Sequence, residues 1–259
     1  MNAAKMKQLV TELKDEINIK LHHRTLLEYT GQPPIWEDQL FYLLLPKFNG
    51  EQWTQNHQVT AQSVVMIQTA LTTHDLVQEF EATSKQQQLM VIAGDYYSGR
   101  YYATLAELPN IQLVSELSDA VAEISENKTA FYEPVQKDLQ QWIEIFEVIV
   151  SKAIESFMTH FELKAYIPFI QKGMLVNRLS TELQRFTEGT STVRFVNVIA
   201  ESFATHEEAV AKIQVELHAQ IEQFQKLIRK TELLNPAIKD VLLGQMDVLT
   251  AAQHMTREG

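Results

Sequence analysis

The chain has 259 residues, 45% of them hydrophobic, punctuated by only 8 Gly and 7 Pro. That is enough for one large domain or two small ones, and the scarcity of breakers favours long helices over many short strands. A formal net charge of −11 leaves no basic stripe for nucleic-acid phosphates, and the lack of Cys excludes disulfides and thiolate metal sites.

Lys and Glu interrupt the N-terminus where a secretory signal needs an apolar core, and no run of 18 apolar residues occurs. The expectation is a cytoplasmic protein with no transmembrane segment and no nucleic-acid partner. From about Ala3 to Thr30, Met6, Leu9, Val10, Leu13, Ile17 and Leu21 recur at three and four, which predicts one amphipathic helix ended by Gly31 and Pro33-Pro34. Ile35 to Leu45 predicts a short apolar helix stopped by Pro46. A long helix is expected from Glu51 to Glu79, burying Val59, Val64, Val65, Ile67, Leu71 and Leu76.

The next stretch, Gln88 to Leu108, predicts a helix buried on nearly every side, because Met90, Val91, Ile92, Tyr96, Tyr97, Tyr101, Tyr102 and Leu105 surround its axis. Gly94 and Ser98 lie on one side; Gly99, Ala103 and Ala106 line roughly the opposite one. Gly inside a helix costs about 1 kcal/mol relative to Ala, so the pair marks close helix packing. Asp95 is the polar exception, a carboxylate that needs donors. The Gly99 side, with Asp95 near it, is expected to face the interior, leaving the Gly94 side for a partner.

Further helices are predicted over Ile111–Glu126, Val135–Phe161, Tyr166–Thr187, Ser191–Phe203 and Thr205–Lys230. A last one starts at Asn235-Pro236, an Asn cap with Pro at the first helical position, and fades near Met255. With no linker, repeat or low-complexity run, the expectation is one all-α domain over 1–259, a bundle of about ten helices.

Val91-Ile92-Ala93-Gly94-Asp95-Tyr96-Tyr97 resembles the helix of trans-isoprenyl diphosphate synthases that reads Leu-Ala-Gly-Asp-Tyr/Phe-Leu. The continuation Ser98-Gly99 with Tyr101-Tyr102 is similar to the non-catalytic first component of heteromeric heptaprenyl diphosphate synthases. Upstream, Leu71-Thr72-Thr73-His74-Asp75-Leu76-Val77-Gln78-Glu79 resembles the first aspartate-rich motif of the same family. His74 and Asp75 match it, Leu76 replaces its second aspartate, and Glu79 stands where the last carboxylate would be. No Arg pair follows, and the second DDxxD motif is missing from the C-terminal half.

Clustered carboxylates bind the Mg²⁺ ions that neutralise a departing diphosphate, so a degenerate motif built on His74, Asp75 and Glu79 does not predict catalysis by this chain. The resemblance implies an isoprenoid-synthase-like fold and no catalytic residues, metal or cofactor in this chain. It implies a catalytic polyprenyl synthase partner that carries both DDxxD motifs, Mg²⁺ and the prenyl diphosphate substrates, and a product destined for the menaquinone side chain. The family's catalytic chains dimerise near the Gly-Asp helix, which makes Gly94, Asp95, Tyr96, Tyr97, Ser98, Gly99, Tyr101 and Tyr102 the candidate interface. Two alternatives stand beside this reading: a stand-alone terpenoid synthase using Asp75 and Glu79, and a helical lipid-binding or scaffold protein. The eight His residues form no HExxH, and His22-His23 is expected on a solvated face of the first helix.

Overall fold

Polar side chains cap the start of most helices in the computed structural model, which describes residues 1–77, 84–108, 110–133, 137–190 and 194–255. The described residues form twelve α-helices and no strand. Asn2 opens α1 (Ala3–Leu21) by accepting the Lys5 N–H at 2.9 Å. The first predicted helix then breaks. His22 and His23 are extended, and His23 Nδ1 accepts the Leu26 N–H at 3.3 Å to start α2 (Arg24–Thr30). Gly31, at φ 75°, ends α2 in the left-handed region that favours glycine. A strap through Pro33-Pro34 leads to α3 (Glu37–Leu43). Pro46 does not simply stop that helix: it sits in the first turn of α4 (Leu45–Asn49), where its missing N–H costs nothing.

The middle of the bundle is α5 (Gln55–Asp75), started by a capping box between Thr54 and His57. Every residue from Val59 to Ala70 is buried. Several of them are polar, and most are satisfied locally or by neighbours, the Thr60 hydroxyl being the exception. Ser63 and Thr69 hydroxyls donate back to the carbonyls of Val59 and Val65, Gln62 donates to Glu16 at 2.7 Å, and Gln68 donates to the carbonyls of Ile149 and Val150. α6 (Lys85–Leu105) packs along α5 on one side and α2 on another.

α7 (Ile111–Thr129), capped by Asn110, pairs with α8 (Leu139–His160), whose capping box joins Asp138 and Gln141. α9 (Ile167–Thr187) lies against α3, α8, α10 (Arg194–Glu201) and α11 (His206–Lys230), and α12 (Pro236–Met255) closes on α11. Gly173 lets α9 approach α3, because a Cβ there would overlap the buried Tyr42 ring. One contiguous apolar cluster runs from Met6 of α1 to Met246 of α12. No described helix is long and apolar enough to cross a membrane.

Candidate functional site

The last turn of α5 meets the middle of α6. The His74 ring lies directly over Gly94: a Cβ built there would sit 2.5 Å from His74 Cε1 and Nε2. Gly94 is therefore a close-approach glycine, and its side faces the interior. Gly99 has nothing within 4 Å of a built Cβ and is exposed. This reverses the expectation that the Gly99, Ala103 and Ala106 side is internal. The inward residues of α6 are Gln87, Met90, Ala93, Gly94, Tyr97, Tyr101, Thr104 and Leu105, a single stripe at three-and-four spacing.

The helix is thus not buried all round. Val91, Ile92 and Tyr102 are 40%, 52% and 52% exposed, Gly99 and the Asp95 carboxylate stand open between them, and Ala103 and Ala106 are exposed beyond Tyr102. Ile111, at the start of α7, is exposed as well. Three large apolar side chains on one helix face, interleaved with small ones, form a ridge and groove of the kind a second helix fills.

The eight residues of the Gly-Asp-Tyr-Tyr segment divide accordingly. Gly94, Tyr97 and Tyr101 point into the bundle, where burial pushes the Tyr97 and Tyr101 phenols up. They cannot touch a partner while the bundle is intact. Tyr96 is half-buried, donating to the His22 carbonyl at 3.3 Å and meeting the His23 ring edge-on. Ser98 is half-buried; Asp95, Gly99 and Tyr102 face out. Asp95 did not need buried donors: its side chain is 73% exposed, with His74 Nε2 at 3.6 Å from Oδ1.

Asp75 points elsewhere. Its Oδ2 accepts from Lys128 Nζ at 2.6 Å, and the same ammonium donates to the Leu71 carbonyl at 3.3 Å. Lys128 comes from the last turn of α7, where the helix dipole favours a cation. The carboxylate is already neutralised by a resident lysine. A Mg²⁺ ion wants several oxygen ligands, and a single lysine-bound carboxylate does not supply them. Among the described residues no group of three or more His, Asp or Glu side chains is arranged to hold a metal. The residues present do not fit the metal that the motif implies; Glu79 lies outside the described residues.

Two features went unread in the sequence. Nothing in the sequence around Lys128 links it to Asp75. Arg178, Glu182 and Arg185 of α9 form a buried ionic group, with Glu182 Oε1 3.8 Å from Arg178 and 3.4 Å from Arg185. Their i, i+4, i+7 spacing is the one signal that could have placed them on a single face.

Residues 23–231 match the sequence model of a family described as heptaprenyl diphosphate synthase (HEPPP synthase) subunit 1. The chain belongs to that family. Heptaprenyl diphosphate synthase component 1 of Geobacillus stearothermophilus is 28% identical over 141 residues, covering 54% of this chain and 64% of that protein. The chain thus spans under two thirds of the length of this curated relative. Among solved structures, heptaprenyl diphosphate synthase from Staphylococcus aureus superposes with a TM-score of 0.68 at 11% identity, over 95% of this chain and 98% of that one. Geranylgeranyl pyrophosphate synthase from Corynebacterium glutamicum gives a TM-score of 0.69 at 12% identity, over 96% and 93%. At such identities the likeness is one of fold: the subunit 1 chain has the all-α fold of isoprenyl diphosphate synthases.

Proposed function

We propose that the chain is the non-catalytic subunit of a heteromeric long-chain polyprenyl diphosphate synthase, heptaprenyl in kind, making the menaquinone side chain in the cytoplasm. It docks a catalytic chain that carries the DDxxD motifs, the Mg²⁺ ions and the prenyl diphosphates. The outward face of α6 carries the proposal: Val91, Ile92 and Tyr102 stand clear of the core, with Gly99 between them and the exposed Ala103 and Ala106 beyond. A helix of the partner laid along this face would bury side chains that cost free energy in water. Asp75 then acts as a structural anion held by Lys128, and its loss of metal-binding company fits a chain that leaves chemistry to its partner.

The stand-alone synthase is the weaker reading, because the one described carboxylate of its altered metal motif is occupied by an ammonium. Purified alone and given Mg²⁺, farnesyl diphosphate and labelled isopentenyl diphosphate, the chain should form no product; mixed with a catalytic subunit, it should raise long-chain product. Product from the chain alone, at a rate comparable to the mixture, would overturn the proposal. A chain that neither co-elutes with the catalytic subunit nor alters its product would favour the scaffold or lipid-binding alternative.

A further inference from the structure

The junction of α3 and α9 holds more hydrogen-bonding capacity than its own residues use. Trp36, at the start of α3, has the Arg178 guanidinium 3.6 Å above its ring and that of Arg185 at 4.8 Å. Both guanidinium groups share one carboxylate, Glu182, whose side chain is 1% exposed; Arg178 is 11% and Arg185 32% exposed. Yet Trp36 Nε1, Arg178 Nη1 and, one turn along α3, Gln39 Nε2 are buried donors without an acceptor, and Glu182 Oε2 is a buried acceptor without a donor. A buried ionic group that serves packing alone is expected to be fully paired, because each orphan forfeits the water it gave up.

Arg178 and Arg185 face Glu182, and Arg178 also faces Asp38 of α3; Asp75 is close enough to be felt by Arg178 and Glu182 but is already paired with Lys128. Burial pushes both the Asp38 and the Glu182 carboxyls up, opposed by the arginines. The half-buried Trp36 and the partly exposed Arg185 put one side of the junction in reach of solvent.

We propose that the α3–α9 junction is a binding site for a small oxyanion of the phosphate class, held by the guanidinium groups of Arg178 and Arg185 and the indole N–H of Trp36. A tetrahedral oxyanion offers more acceptor atoms than a carboxylate, and guanidinium groups match it in a bidentate fork. The ligand is either free phosphate or the terminal group of a diphosphate; the recognition chemistry is common to both. The site needs neither Asp75 nor the outward face of α6, so it stands or falls independently of partner docking.

The test uses the full chain alone, titrated separately with inorganic phosphate, inorganic diphosphate and isopentenyl diphosphate. The chain has 3 Trp, so the indole N–H region of a ¹⁵N–¹H spectrum holds three side-chain signals, and Trp36→Phe identifies the one of interest by its loss. The expected result is saturable movement of the Trp36 signal while those of Trp53 and Trp142 stay in place. Saturation by inorganic phosphate identifies free oxyanion as the ligand; saturation by the two diphosphates only identifies the diphosphate group. Trp36→Phe keeps the stacking ring and removes one donor, so calorimetry should find binding about fivefold weaker, the worth of one net hydrogen bond of about 1 kcal/mol. Arg185→Gln, at a partly exposed position that should tolerate the change, should weaken binding at least as much. A Trp36 signal unmoved by all three probes overturns the proposal. So does binding that both variants leave unchanged, which would mark an adventitious ion only.

Discussion

The two faces of α6 are built from the same residue types and do opposite things. The inner face presents Gly94, Tyr97 and Tyr101; the outer presents Gly99, Tyr102 and Ile92. Each pairs a glycine with aromatic bulk. What separates them is the neighbour. Gly94 lies under the His74 ring and Tyr97 is 1% exposed, whereas a Cβ on Gly99 would meet nothing and half of Tyr102 is in water. A helix apolar on all sides is often taken as the centre of a bundle. Here the centre is α5, which is buried from Val59 to Ala70 despite its Thr, Ser and Gln, and α6 sits beside it with one side open. An apolar face covered in the monomer contributes to the fold. An apolar face left open adds little to the fold and is available to a partner.

The contrast is broken or sharpened most sharply at Tyr97. Tyr97→Ala removes a buried ring and should cost about 3–5 kcal/mol of stability, read as a large fall in the melting temperature of the isolated chain. Gly94→Leu drives a side chain into His74 and should cost about 1–3 kcal/mol in the same measurement. If Gly94→Leu melts like the parent, the packing of His74 over α6 is not what the geometry says. On the outer face, Tyr102→Ala should leave the melting temperature within about 0.5 kcal/mol of the parent, yet weaken association with a catalytic subunit by about 2 kcal/mol, as loss of an interface anchor does. Size-exclusion chromatography and calorimetry of the mixture measure this. Normal association by both Tyr102→Ala and Gly99→Leu would remove α6 from the interface. The smallest effect is expected at Asp75→Asn. The pair with Lys128 is partly exposed, so stability should fall by at most about 1 kcal/mol, and activity of the mixed subunits should fall less than when an aspartate of the partner's motif is replaced. Equal losses would put Asp75 in the reacting site after all.

Much of the fold was legible because helix periodicity and caps are local. Leu217, Ile221, Phe224 and Ile228 are buried in α11 at the spacing their sequence shows, and Asn235 accepts the Ile238 N–H at the start of α12. The break between α1 and α2 was not legible. No Gly or Pro marks His22-His23; the chain turns there because α2 packs on α6 and His23 supplies a cap. The polar residues of α5 hid its burial, since their partners, such as Glu16 and the carbonyls of α8, lie on other helices. At the candidate site the degenerate motif around His74 and Asp75 was visible as missing carboxylates, but the fate of the surviving one was not.

The all-α architecture, most helix positions and the family could be read from the sequence, because each rests on spacing within one segment or on the presence of particular residues. Tertiary structure alone decided that Lys128 neutralises Asp75, that Arg178 and Arg185 gather on Trp36, and that Gly94 rather than Gly99 faces the core. Periodicity shows which residues share a side of a helix. It carries no record of which side the rest of the chain covers, because that is set by contacts between segments far apart in sequence.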